Sequence, residues 1–155
     1  MKNALIVVYS YHHNNTEKVA HAMAKALQCE VKHPEEVDVE DIPKYNMVGF
    51  GAGIDSAKHY GPLLEFARAL PMMQGKKAFI FSTSALLGAD KVKKDHGALR
   101  DILLSKGYQI VNEFACKGYN TNSFLKYIGG MNKGRPNGKD LQNAAAFALA
   151  VIEEK

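Results

Sequence analysis

Residues 4–9 read ALIVVY, six apolar residues in a row with no polar alternation. A strand of this kind must be covered on both faces, which places it inside a layered sheet and not at a solvated one. The pattern that follows is helical. Thr16 to Leu27 puts Val19, Ala20, Met23 and Leu27 on one side at helical spacing. The alternation then repeats along the chain. Glu30 to Lys32 is a short second strand, and Asn46 to Gly51 a third. Pro62 opens a helix with Leu63, Phe66, Ala67 and Leu70 on its inner stripe, and Lys77 to Ser82 is a fourth strand. A helix around Val92 to Lys106 stops at Gly107; Tyr108 to Cys116 is the fifth strand. A final helix runs from about Asp140 to Glu153, with Asn137 and Asp140 spaced for mutual capping. The acidic stretch PEEVDVEDIPKY between Pro34 and Tyr45 reads as a surface connection with one helical turn.

Strands alternating with helices predict an α/β fold, a three-layer sandwich with a five-stranded parallel sheet and helices on both faces. At 155 residues a single domain over 1–155 is expected. No apolar run approaches the ~20 residues that cross a bilayer, and the start has no signal-peptide layout, so the expected address is the cytoplasm. Cys29 and Cys116 lack metal-like spacing and read as buried, reduced thiols.

In such sheets ligands sit beyond the carboxyl ends of the strands, where the strand order reverses. The loops there read SYHHNNT, GAGIDSAKHYG, STSALLGADK and KGYNTNSFLKYIGGMNKGRPNG, all long, polar or rich in glycine. The first feeds a helix N-terminus, where unpaired amides and the helix dipole favour an anion; a phosphate is the natural occupant, with Ser10, Asn15 and Thr16 as further donors. The plainer reading is that Asn15 or Thr16 caps the helix. The loop is no Walker motif, and Gly49, Gly51 and Gly53 do not make a dinucleotide fingerprint. His12 and His13 as a metal pair lack a third ligand, so no metal site is expected. No Ser/His/Asp or Cys/His arrangement can be assembled from spacing, and no catalytic residue is named.

The segment VYSYHHNNTEKVA resembles the phosphate loop of flavodoxins, and GFGAGID and FSTSALLG resemble that family's two flavin-flanking loops; the likeness spans essentially the whole chain. The resemblance implies the flavodoxin sheet order 2-1-3-4-5 with FMN as cofactor. It implies that Ser10, Tyr11, His12, His13, Asn14, Asn15 and Thr16 hold the FMN phosphate. Ala52, Gly53, Ile54, Asp55 and Ser56 on one side, and Ser82, Thr83, Ser84, Ala85, Leu86, Leu87 and Gly88 on the other, would bracket the isoalloxazine. The chain departs from the family at His13-Asn14, which replaces Thr-Gly; Asn14 can take the missing glycine's left-handed backbone. Tryptophan is absent, so Tyr60 and Tyr119 are the rings available to stack on the flavin or to pack on its rim, with His59 nearby.

Charge gives a further departure, since flavodoxins are typically acidic. Residues 1–75 carry 7 basic and 9 acidic side chains, residues 76–155 carry 13 and 7, and five cations fall between Lys117 and Lys139 with no anion. Such a surface fits an acidic protein or an anionic ligand, or is simply solvated; no nucleic-acid motif accompanies it. The resemblance implies an electron carrier between redox proteins, and the basic loop points to partners with acidic docking surfaces. The alternatives are an FMN-dependent oxidoreductase acting on a quinone or porphyrin-like substrate under loop 118–136, and a flavin-free interaction module.

Overall fold

The computed structural model describes residues 3–10, 14–118 and 132–153. Tyr11, His12, His13 and Tyr119, named above as cofactor contacts, lie outside the described residues, as does most of the long loop with Lys126.

The sheet is built from β1 (Ala4–Tyr9), β2 (Glu30–Lys32), β3 (Met47–Asp55), β4 (Lys58–His59), β5 (Lys76–Ser84) and β6 (Tyr108–Lys117). The order is β2-β1-β3-β5-β6, all parallel, with β4 folded back antiparallel onto the end of β3. Apart from the added hairpin strand this is the expected 2-1-3-4-5 arrangement. The extra strand is a correction to the sequence reading, which ended the third strand at Gly51. Ala52 to Asp55 instead stay in register with β5 or β4. The chain then reverses at Ser56 and Ala57, with φ of 54° and 62°. Two successive left-handed residues suit the twist of a tight hairpin, but no glycine or asparagine marks them in the sequence.

Helices α1 (Asn15–Leu27) and α5 (Gly138–Glu153) cover one face; α2 (Gly61–Arg68), α3 (Ala89–Asp95) and α4 (Gly97–Ser105) lie on the other side. Strand parity divides the core. Leu5, Val7, Val48, Phe50, Ala78 and Ile80 pack toward α2 and α4, while Ile6, Val8, Phe79 and Phe81 pack toward α1 and α5. ALIVVY is apolar throughout because both sets are buried. The glycines of β3 have the same origin: a Cβ on Gly49 would stand 2.2 Å from the Phe79 ring, and one on Gly51 2.2 Å from the Phe81 ring. They make room for aromatic rings on the neighbouring strand.

The helix expected over 92–106 is two helices joined at His96, whose ring turns into the core and is fully buried. The acidic connection forms two 3-10 turns, Pro34–Glu36 and Val39–Lys44. At α5 the expected capping exchange is present, Asn137 N donating to Asp140 Oδ2 (2.8 Å) and Asp140 N to Asn137 Oδ1 (2.9 Å). Cys29 and Cys116 are both free thiols, and burial pushes Cys116 up to about 12. Among the described residues no helix is long and apolar enough to cross a membrane.

Candidate functional site

Three segments meet at the carboxyl end of the sheet: the entry into α1, the β3–β4 hairpin, and the turn after β5. The entry into α1 passes through Asn14 in the left-handed conformation expected for it, φ 51° and ψ 33°. Its carbonyl accepts the first helical bond from Lys18 N at 3.1 Å. Its side chain makes no capping bond among the described residues. Neither Asn15 nor Thr16 occupies the cap position; both are buried inside the first turn. Among the described residues the first turn thus presents its amides and the positive end of the helix dipole without a side-chain cap. Asn14→Gly should keep the fold at little or no cost, whereas Asn14→Val should cost about 1–2 kcal/mol from the left-handed backbone. Urea denaturation of the two variants measures the difference.

Thr16 Oγ1 lies 2.7 Å from Thr83 Oγ1, with both residues buried. The two hydroxyls tie the start of α1 to the end of β5, so the first and third segments are held at a fixed distance. On the opposite face of β5, Ser82 Oγ is 2.7 Å from His96 Nε2, and Lys91 Nζ donates to Ser84 Oγ at 3.2 Å. The next turn is fastened through its backbone: Ser84 O accepts from Gly118 N at 3.0 Å, and Ala85 O from Asn132 Nδ2 at 2.7 Å. The hydroxyls of Ser82, Thr83 and Ser84 are thus engaged within the protein. Beyond them Leu86 and Leu87 are exposed, at 57% and 40%, and Gly88 carries φ 151° into α3.

In the hairpin, Gly53 lets the Tyr60 ring approach: a Cβ there would stand 2.7 Å from Tyr60 Cε2. Tyr60 also meets Tyr9 edge to face at 6.0 Å. Ile54 and Asp55 pair with His59 and Lys58. His59, placed near the crevice by the sequence, is fully buried, with Nε2 3.0 Å from the Phe81 carbonyl. Burial, with His96 beside it, pushes its pKa down to about 3, so the ring is neutral and its Nε2–H donates to Phe81.

Sequence reasoning missed the polar array beneath these loops. His96 Nδ1 is 2.8 Å from Glu113 Oε1, and Arg100 forks onto the same carboxylate, Nε to Oε2 and Nη2 to Oε1, both at 2.7 Å. Burial raises the Glu113 pKa, but hydrogen bonds from Arg100 and His96 outweigh it and hold the group down to about 2. Ser82, His96 and Glu113 have the connectivity of a hydrolytic triad. Ser82, however, is 2% exposed and His96 wholly buried, so no substrate reaches the hydroxyl. The array is a brace. Its members lie 14 and 17 residues apart on three elements, and no local motif announces them.

Two other features lie off this site. An open groove of about 840 Å³ runs along β6, lined by Val92, Arg100, Leu104, Tyr108, Ile110 and Glu113 among others. It lies between α3–α4 and the edge strand β6. Arg135, one of the cations of the basic stretch, is paired with Asp140 through Nε at 2.5 Å and Nη2 at 2.7 Å. The local positive charge is therefore smaller than the sequence count implies.

Comparison with known proteins agrees with this geometry. The flavodoxin-domain family model matches residues 6–151. An uncharacterised protein of Methanocaldococcus jannaschii is 39% identical over 150 residues, covering 97% of this chain and 98% of its own. In fold, the chain is similar to oxidised flavodoxin 2 of Bacillus cereus, with a TM-score of 0.72 at 16% identity over 97% of this chain and 98% of that one. A flavodoxin from the domain Archaea gives a TM-score of 0.64 at 16% identity, over 97% and 96%. With a parallel sheet in the 2-1-3-5-6 order and a family match over nearly all its length, the chain belongs to the flavodoxin-domain family.

Proposed function

We propose that the chain binds FMN at the crevice between α1, the β3–β4 hairpin and the turn after β5, and carries electrons between redox proteins in the cytoplasm. The observation that carries this reading is the start of α1. It opens from a left-handed Asn14 with no side-chain cap among the described residues, at the point in the sheet where the strand order reverses. The residues fit the cofactor's parts. Ser10 and the amides of 14–16 offer donors to a phosphate dianion, and His12 or His13 would add a further donor in either protonation state. Ala52, Gly53, Ile54, Asp55 and Ser56 on one side, and backbone and apolar groups of Ala85 to Gly88 on the other, would hold the ring. Tyr60 and Tyr119 would stand at its rim.

FMN supplies one- and two-electron chemistry when bound; the protein supplies anchoring, orientation and electrostatics. Here the orientation comes from Thr16 and Thr83, which keep the phosphate segment and the ring segment at one separation. Leu86 and Leu87, exposed beside the turn, would shield one edge of the ring from water and offer an apolar contact to a partner. The basic balance of the C-terminal half supports a partner with an acidic docking surface.

Reconstitution tests the reading. The purified chain mixed with FMN should take up one equivalent and show oxidised-flavin absorption. After anaerobic reduction it should return electrons to a redox protein faster than it turns over a quinone. A chain that stays colourless would overturn the proposal, and rapid quinone turnover would replace the carrier with an enzyme.

A further inference from the structure

The end of β5 is fastened by two fully buried histidines from different elements. His59 comes from the strand that closes the β3–β4 hairpin, and its Nε2–H donates to the Phe81 carbonyl at 3.0 Å. His96 comes from the joint between α3 and α4, and its Nε2 meets Ser82 Oγ at 2.7 Å. The two rings lie 4.9 Å apart between centroids, tilted by 40°. Phe81 and Ser82 are consecutive, so the imidazoles grip adjacent points on one strand end while belonging to the two segments on either side of it.

Two imidazoles in a core are costly where apolar side chains would fill the same space. Their placement is nonetheless heavily determined. Glu113, held ionised by the Arg100 fork, fixes the His96 ring by accepting from Nδ1–H, which leaves Nε2 facing Ser82. His59 is fixed by its neighbours in the hairpin and by the Phe81 carbonyl, and its Nδ1 has no hydrogen-bond partner among the described residues. This is a support in which each orienting group is itself oriented, the arrangement that holds a binding geometry to fractions of an ångström.

We infer that His59 and His96 are positioning residues for the ring of the cofactor, clamping the 52–59 hairpin and the 82–88 turn at one separation through Phe81 and Ser82. The inference rests on the FMN reading above. It adds that affinity for the ring is set by a device on the α3–α4 side of the sheet, independent of the phosphate segment on the α1 side. Loss of the clamp should then weaken every ligand carrying the ring by one common factor, whether or not it carries phosphate.

The test is to measure FMN and riboflavin affinity by fluorescence quenching, with midpoint potential and circular dichroism, for the wild-type chain and for His59→Leu, His59→Gln and Glu113→Gln. His59→Leu should weaken FMN and riboflavin by the same factor, about tenfold or more, and move the potential. His59→Gln keeps an N–H donor near the position of Nε2 and should restore both affinities to within about threefold of wild type. Glu113→Gln, on a part-exposed side chain away from the crevice, should show a smaller common loss with the fold intact. Variants that lose thermal stability but keep riboflavin affinity and potential would overturn the inference and leave the pair purely structural. A wild-type chain that takes up neither flavin would overturn the FMN reading itself, and this inference with it.

Discussion

Gly107→Ala should destabilise the protein by about 3 kcal/mol, lowering the melting temperature by roughly 10 °C. A Cβ at this position would stand 1.7 Å from the Met73 carbonyl oxygen and 2.7 Å from its carbon, and the residue holds φ at 87°. Backbone, unlike the tip of a flexible side chain, cannot step aside. The segment it would strike is itself fixed, with Met73 N donating to Lys106 O at 2.7 Å and Gly75 N to Gly107 O at 2.8 Å. The clash adds to the cost of a left-handed alanine, about 1–2 kcal/mol. Gly75 is the internal control. Its φ is 72° but nothing lies within 4 Å of its Cβ position, so Gly75→Ala should show only the backbone cost. Differential scanning calorimetry of the two variants separates collision from strain. The turn matters to the site because it ends α4 and launches β6, which carries Glu113 into the brace.

The second large effect is acid sensitivity. His59 has its pKa lowered from 6.5 to about 3, first by burial and then by His96, with the Phe81 carbonyl and Glu113 opposing and Arg100 adding to the fall. A depressed pKa means the unfolded chain binds the proton more readily than the folded one. The stability tied to the neutral ring is therefore fully present above pH 6.5 and is lost as pH falls from there toward 3. The slope approaches about 1.4 kcal/mol per pH unit for one proton. Glu113, depressed from 4.5 to about 2, adds a second proton to the same limb below pH 4.5. Urea denaturation from pH 7 to 4 should show stability falling from near pH 6.5, earlier than carboxylates alone would produce. His59→Gln removes the titrating group and should flatten the upper part of that limb. An unchanged limb in this variant would show that another group titrates there.

Much of the architecture was legible because each strand and helix advertises its own burial. ALIVVY has no solvent face, and the spacing of Val19, Ala20, Met23 and Leu27 belongs to one side of a helix. Asn14 was legible from its chemistry, as a residue that tolerates φ near 51° where the family carries glycine. The hairpin was not, since Ser56 and Ala57 take a left-handed turn that neither residue type favours, under tertiary control. The break at His96 was hidden by apolar periodicity that continues on both sides of it. At the joint the imidazole bonds Ser82 and Glu113, and Gly97 follows it. The brace beneath the crevice was invisible because Ser82, the His96–Arg100 pair and Glu113 are remote in sequence and meet only once the sheet is formed. The hydroxyls of Ser82 and Thr83 were legible as polar groups at the carboxyl end of the fourth parallel strand, which runs on to Ser84, but not as partners of His96 and Thr16.

Calorimetric titration of the wild-type chain and of Ser10→Ala with FMN and with riboflavin decides the central claim, that the start of α1 grips the phosphate of a flavin nucleotide. The account predicts that FMN binds the wild type more tightly than riboflavin by about a hundredfold or more, as expected for several charge-assisted hydrogen bonds to one dianion. It also predicts that Ser10→Ala narrows this gap by weakening FMN alone. Equal affinities for the two flavins in the wild type, or no heat with either, would contradict it.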